Sequence, residues 1–530
     1  MAVGLLPQAL VEADTQLVQR THLSASRVTM APDHAYATLI VGAGLTGLGA
    51  AIRLAEAGLS NPDEVVILER GDRVGGTWRD TTYPGASCDI PSLLYSFSFV
   101  RNPKWSRTYS PAAEIYRHIE AMVNRFGIGD RIRFGQRVTG LTFNQDTGIW
   151  TATTQAGERF RARTVILASG PLSDVSFPDI RGLDRYEGHK IHSARWDHDY
   201  DFSGKRVAVV GTGASAVQIV PELVNQAGFV KVFQRTPCWV LPRLDVATPP
   251  AVQALFTKVP AAQQLARQAL FWGHEATAGA LVWNTPLTSL VALLGQAHLR
   301  GQVKDRWLRR QLTPDFRPGC KRMLVSSDYY PALQRPNCKL IDWPIATLSP
   351  VGIRTSDGLE HHLDCIVFAT GYDVHLTGPP FPVTGIGGRS LADEWAHGAQ
   401  AYKSINAHGY PNLFFMTGPN SGPGHNSLLV YIEGQLDYAV RAITTILDER
   451  LRYLDVRADV QRRYNERIQR RLAKTTWMSG CRSWYLTKEG FNGSMFPGFA
   501  SEYLCQMRDF RYGHYHAVAQ DAGSLVTSTA

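Results

Sequence analysis

The chain is poor in cysteine. Its seven cysteines in 530 residues, at 88, 238, 320, 338, 365, 481 and 505, stand far apart, and no Cys-x-x-Cys occurs. This spacing excludes a zinc ribbon, a disulfide framework and a dithiol redox centre, so no metal is expected and a reducing, cytoplasmic setting is. Blocks of five or more Lys/Arg are also lacking, which argues against a nucleic-acid-binding tail. The formal charge of +9 fits anionic substrates or cofactors such as dinucleotides. The first twenty residues lack a basic region followed by an apolar one, so no secretory signal is expected. The most apolar long stretch, Ala278 to Leu294, is interrupted by Asn284 and Pro286 and suits buried or interfacial helices better than a membrane span.

What is present is ordinary in bulk, 44% hydrophobic and 19% charged, and long enough for two or three domains. TLIVGAGLTGLGAAIRLAEAG reads as strand, glycine turn and helix, and EVVILER as the next strand. KRVAVVGTGASAVQIVPELV and FVKVFQR repeat that plan. The pattern predicts an α/β fold of doubly wound parallel sheets, with two Rossmann-like dinucleotide-binding domains and a helical insertion. The apolar strand CIVFATG leads back to glycine as RTVILASG does, so it is assigned to the first nucleotide domain. The expected division is 1–35 as an extension with one amphipathic helix, 36–175 with 361–530 as the first nucleotide domain, 176–244 with 313–360 as the second, and 245–312 as the insertion.

In the first turn, Gly42 permits the tight bend, Gly44 lets backbone approach a pyrophosphate, and Gly47 allows close helix packing. Backbone N–H groups at the helix start then face phosphate, favoured by the helix dipole. Glu69 ends the following strand, where a carboxylate can accept from a ribose diol. The second turn runs Gly211-Thr212-Gly213-Ala214-Ser215-Ala216, with alanine in place of the third glycine. Its next strand ends in Arg235-Thr236 instead of an acid. A carboxylate there would repel a 2′-phosphate, whereas a guanidinium grips one. The first site is therefore expected to take FAD and the second NADPH.

Two longer segments resemble a known family. Tyr186-Glu-Gly188-His-Lys-Ile-His192-Ser-Ala-Arg-Trp196-Asp197 resembles the fingerprint of type I Baeyer–Villiger monooxygenases, with Tyr186 where Phe is usual. Gly75-Gly76-Thr77-Trp78 through Tyr83-Pro-Gly85-Ala-Ser-Cys-Asp89 resembles that family's other long motif. Lys321-Arg322, Phe368-Ala-Thr-Gly371-Tyr-Asp373 and Cys481-Arg-Ser-Trp484-Tyr485 follow in the same order. The resemblance runs from about Thr38 to Gly498, fails at both ends and is weak through 245–310.

It implies an NADPH- and O2-dependent enzyme that converts a ketone to an ester or lactone through a C4a-peroxyflavin and a Criegee intermediate. Sulfides are an implied second substrate class. Arg322 takes the position of the cation that stabilises the deprotonated peroxide, and Asp89 that of its acidic partner. FAD contacts are implied for Gly42, Gly44, Thr46, Gly47, Glu69, Gly76, Thr77, Trp78, Asp89, Tyr95, Val138 and Leu428. NADP contacts are implied for Thr212, Gly213, Ala214, Ser215, Ala216, Gln218, Arg235, Thr236, Lys321, Arg322 and Trp484. Trp484 stands for the tryptophan of a loop that folds over NADP, and His192 for a histidine with a structural role in the linker.

Two other readings remain open. One is a flavin monooxygenase acting on nitrogen or sulfur, which would not need Asp197 or Asp89. The other is an NADPH sensor with little catalysis, which would have no use for a buried cation beside flavin. The ketone, the oligomeric state (monomer or homodimer) and the role of the extension are not legible.

Overall fold

Strand β1 (Tyr36–Val41), YATLIV, is buried along nearly its whole length, as a parallel strand covered on both faces must be. It is followed by Gly42 at φ +106°, where an added Cβ would lie 2.7 Å from the Ala168 carbonyl oxygen, so glycine alone fits there. Helix α1 (Leu45–Glu56) sits so close behind that a Cβ on Gly47 would fall 1.9 Å from the Gly42 oxygen. Strand β2 (Val65–Leu68) returns parallel to β1 on one side. Strand β3 (Arg159–Leu167) lies parallel on the other and continues antiparallel into Ile149–Thr154 and Val138–Asn144. The structure, a computed structural model, describes residues 34–373, 378–481 and 483–520; the helix expected in the N-terminal extension lies outside them.

The second sheet is wholly parallel. It contains β4 (His189–His192), β5 (Arg206–Val210), β6 (Phe229–Phe233) after helix α2 (Ala214–Gln226), then β7 (Cys338–Ile341) and β8 (Cys365–Phe368), in the order β7-β6-β5-β8-β4. This corrects the assignment of CIVFATG to the first domain. The strand pairs Cys365 with Val207 and Phe368 with Val210, and on its other edge Cys365 with His189. A four-residue apolar strand buried on both faces carries no periodicity that names its sheet. The first sheet instead takes Val383–Thr384 and Leu413–Phe415 from later in the chain, and helix Leu428–Asp448 packs its Leu436 on Gly49 of α1.

The stretch 245–312 is helical, with α3 (Pro250–Lys258), α4 (Pro260–Ala276), α5 (Pro286–Gln302) and α6 (Arg306–Leu312). Within the long apolar run Ala278 and Val282 are buried, but Leu287, Leu290, Leu293 and Leu294 are each more than half exposed, so of the two expectations, buried or interfacial, burial holds at the start of the run and not along α5. Among the described residues no helix is long and apolar enough to cross a membrane. A second correction concerns cysteine: Cys320 and Cys481 are joined by a disulfide across a sequence separation of 161. Nothing in linear spacing reveals a pair brought together by tertiary packing alone.

Candidate active site

Both glycine turns end in helices whose N-caps, Gly44 and Gly213, supply no side-chain hydrogen bond. The first N–H groups of each helix are therefore left for an anion. A Cβ on Gly44 would meet nothing nearer than 3.8 Å and one on Gly213 nothing within 4 Å. This is the open backbone face that a pyrophosphate needs. Thr46 and Gly47 lie in the first turn of α1.

Glu69 is turned inward, 4% exposed. Its Oε2 accepts from the Ala43 N–H at 2.9 Å, and its Oε1 from the Gly71 N–H at 2.8 Å and from Arg79 at 2.9 Å. The carboxylate thus braces the glycine turn, and one Oε2 lone pair is left over. Arg79, which sequence reading passed over, is the cation that balances this buried charge; Asp80 and Glu69 together raise its guanidinium further above the ordinary range despite burial. It lies within the 75–89 motif, ten residues beyond Glu69.

That motif binds the two halves together. A Cβ on Gly76 would lie 3.2 Å from Gly44 Cα, so the short helix Thr77–Asp80 abuts the first turn. Trp78 Nε1 donates to the Tyr95 hydroxyl at 3.0 Å. Further along, the Tyr83 hydroxyl donates to Gln218 Oε1 on α2 at 2.9 Å, while Gln218 Nε2 donates to the Ser87 carbonyl at 3.1 Å. Gln218 is thus held by protein, through the segment that leads to Asp89.

Asp89 meets Arg322 in a bidentate pair. Nε donates to Oδ2 at 3.0 Å, and Nη2 reaches Oδ1 and Oδ2 at 2.6 Å each, across 233 residues. The charge of Asp89 raises the Arg322 guanidinium further, so it is a permanent cation; its side chain is 53% exposed. Beside the pair, burial makes the buried Cys88 thiol and the half-buried Tyr95 phenol much weaker acids than usual. Tyr485 is buried against Arg322, its phenol pushed up to about 12 by burial, with Arg322 opposing and Asp89 adding. It is a neighbour that sequence reading quoted but gave no role.

On the second turn, Thr212 Oγ1 donates to the Thr236 carbonyl at 2.8 Å. Ala214, Ser215 and Ala216 open α2, with Ala216 fully buried. Arg235 is exposed and has no acidic partner among the described residues. Lys321 lies over the Phe316 ring at 4.6 Å, and its charge is felt by Cys238 two residues past Thr236. Trp484 is 51% exposed, edge-on to Tyr485 at 4.5 Å. Val138 is buried at a strand start and Leu428 half-buried at a helix start, with no polar contact that marks either.

The 186–197 fingerprint lies apart from this cleft's hydrogen bonds. The Tyr186 hydroxyl donates to the Leu363 carbonyl at 3.1 Å, and Asp197 pairs with His189 at 2.9 Å. His192, on β4, is buried against Phe177, and burial lowers its basicity. These contacts hold the edge of the second sheet.

Residues 39–254 match the family model described as pyridine nucleotide-disulphide oxidoreductase. Within that range only Cys88 and Cys238 occur, so the dithiol in that description has no counterpart. A Baeyer-Villiger monooxygenase of Streptomyces coelicolor is 41% identical over 90% of this chain and 92% of its own. An oxidised steroid monooxygenase bound to NADP superposes with a TM-score of 0.82 at 29% identity, covering 92% of this chain and 100% of that one. An OTEMO complex with FAD and NADP gives 0.80 at 26%, covering 91% and 99%.

Proposed function

The chain belongs to the Baeyer–Villiger monooxygenase family, and on that premise we propose that it binds FAD at the first turn and NADPH at the second and inserts one atom of O2 beside a ketone carbonyl, giving an ester or lactone. The observation that carries this reading is the Asp89–Arg322 pair, fastened to the segment that touches the first nucleotide turn and the helix that follows the second.

The residues fit both groups. Uncapped helix starts and open glycine faces suit two pyrophosphates. Arg235, with no acidic partner among the described residues, and Lys321, whose charge reaches Cys238 two residues past Thr236, suit a 2′-phosphate. The FAD contacts expected at Thr77, Trp78, Tyr95, Val138 and Leu428, and the NADP contacts at Ala214, Ser215 and Trp484, are part of the same proposal. Bound FAD would supply the two-electron chemistry that links NADPH to O2, the source of the inserted oxygen.

The chain's own part is electrostatic. Arg322 holds its charge at every working pH and is oriented by three hydrogen bonds to one carboxylate. It stabilises anionic oxygen as charge develops in the cleft, where fixed donors are worth more than water. It donates no proton to that oxygen, because the charge of Asp89 holds the proton on the guanidinium still more firmly. Asp89 is a positioning residue that acts through Arg322. The domain proposal becomes 36–175 with the chain beyond about 373 for FAD, and the second sheet through Phe368 for NADPH. Sulfides are a second proposed substrate class.

The test is to purify the protein with its flavin and follow NADPH oxidation against a panel of ketones and sulfides, with products identified by mass. A ketone gaining one oxygen is the expected result. Flavin reduced by NADPH with every ketone returned unchanged would sink the reading.

A further inference from the structure

The five cysteines outside the disulfide divide cleanly. Cys88 and Cys365 are buried, and burial pushes the Cys365 thiol up to about 12 and that of Cys88 higher; Cys338 is likewise pushed up to about 12 and Cys238 upward. Such thiols stay protonated and react slowly with oxidants. Cys505 is exposed and alone. Only Cys320 and Cys481 are joined, with Cα atoms 6.3 Å apart.

Their placement is specific. Cys320 immediately precedes Lys321 and Arg322, and Cys481 stands three residues before Trp484 and four before Tyr485. The far end of that loop is held by backbone: Asn420 N–H donates to Gly493 O at 2.7 Å and Gly422 N–H to Ser494 O at 2.8 Å. At the near end, among the described residues, no hydrogen bond or ion pair joins Gly480, Cys481, Ser483 or Trp484 to another segment. Tyr485 is buried beside Arg322 and the Thr476 N–H donates to Val282 O at 2.9 Å; between these two, among the described residues, the disulfide is the covalent tie. Cys320 is fully buried and Cys481 half-buried, so a small oxidant reaches Cys481 first.

We infer that Cys320 and Cys481 form a reversible thiol-oxidation site that fastens the Trp484 loop to the Arg322 segment when oxidised, with hydrogen peroxide as its oxidant. The inference rests on the proposed oxygenase reading, since peroxide is what O2 reduction releases when no substrate captures the oxygen. The Cys481 thiolate attacks peroxide: an S–O bond forms, the O–O bond breaks, and hydroxide leaves to take up a proton as water. Cys320, losing its proton, attacks the sulfenic sulfur: the S–S bond forms, the S–O bond breaks, and a second water leaves. Two thiols lose two electrons and one peroxide becomes two waters. A cellular dithiol reverses the bond by exchange, as a reducing compartment demands of a regulatory disulfide. Oxidation therefore stiffens the loop beside Arg322 in response to the enzyme's own leak.

The experiment uses the FAD-loaded full chain in a Cys505→Ser background, incubated with dithiothreitol or with titrated hydrogen peroxide. Maleimide labelling of the native protein and peptide mass spectrometry read the pair. The linked Cys320–Cys481 peptide should appear with peroxide and vanish with dithiothreitol. The ratio of peroxide released to NADPH consumed should be severalfold higher in the reduced form with ketone present. Cys481→Ser, at the half-buried position, and Cys320→Ala should each fix the ratio at the reduced value whatever the treatment. A bond that dithiothreitol opens only after unfolding would overturn the inference, as would a linked peptide with no change in the ratio. Product identity reports on the oxygenase reading, and the linked peptide on the pair, so failure of one is distinguishable from failure of the other.

Discussion

The Arg322 guanidinium grips both carboxylate oxygens of Asp89 at 2.6 Å, so a loop from one nucleotide unit is oriented by the last residue of a motif 233 positions earlier. Each partner fixes the other, and the cation cannot titrate away.

Removing the cation should separate the two half-reactions. Arg322→Ala is expected to be reduced by NADPH at close to the normal rate while product formation falls by roughly a hundredfold or more, the loss usual for one fixed oxyanion donor. Asp89→Asn should show a smaller loss of the same kind. Anaerobic stopped-flow reduction, followed by product yield on mixing with O2 and ketone, checks both; undiminished ester in Arg322→Ala would remove its assigned role.

Exposed Arg235 is expected to read the 2′-phosphate. Arg235→Ala should raise KM for NADPH about ten- to a hundredfold, as loss of a charge-assisted hydrogen bond worth roughly 1.5–3 kcal/mol requires. NADH kinetics should hardly change. Equal effects on the two nucleotides would place the phosphate elsewhere.

Glu275 on α4 joins the helical insertion to the rest of the chain. Its buried carboxylate accepts from His425 at 3.0 Å, from the Ser501 hydroxyl at 2.6 Å and from the N–H groups of Ala500 and Ser501 at 3.2 and 2.9 Å. Burial pushes this carboxyl up, but Ser501 and His425 outweigh it and hold it low. Glu275→Ala should cost roughly 3–5 kcal/mol, since it strands several buried donors. Urea unfolding of the FAD-loaded enzyme measures it, and a loss under about 1 kcal/mol would mean that water replaces the carboxylate.

A pH effect on stability follows from His408, whose Nδ1 lies 2.9 Å from Asp455. The hydrogen bond and charge of Asp455 raise its basicity above that of a free imidazole, against burial. The unfolded chain therefore loses this proton first as pH rises. The contribution is complete below the ordinary imidazole value and disappears as pH rises through the raised folded value. His408→Gln should flatten the stability profile across that window in thermal melts; an unchanged slope would refute the assignment.

Much of this was legible in the chain itself because it rests on local chemistry. Strand, glycine turn and helix must be contiguous to present backbone N–H groups, so Gly42–Gly47 and Gly211–Ala216 declare themselves. The contrast of Glu69 with Arg235 is equally local, since both end the strand after a turn. Partnership between distant residues was not legible. Glu69 was expected to face a ribose, yet Arg79 and two backbone N–H groups claim most of it. Cys365–Phe368 reads the same in either sheet, and only its ladder with β5 and β4 assigns it. Cys320 and Cys481 meet because folding closes a span that no spacing rule encodes. Backbone conformation is written over a few neighbouring residues, whereas the partner of a buried charge, strand or thiol is chosen by packing of the whole chain.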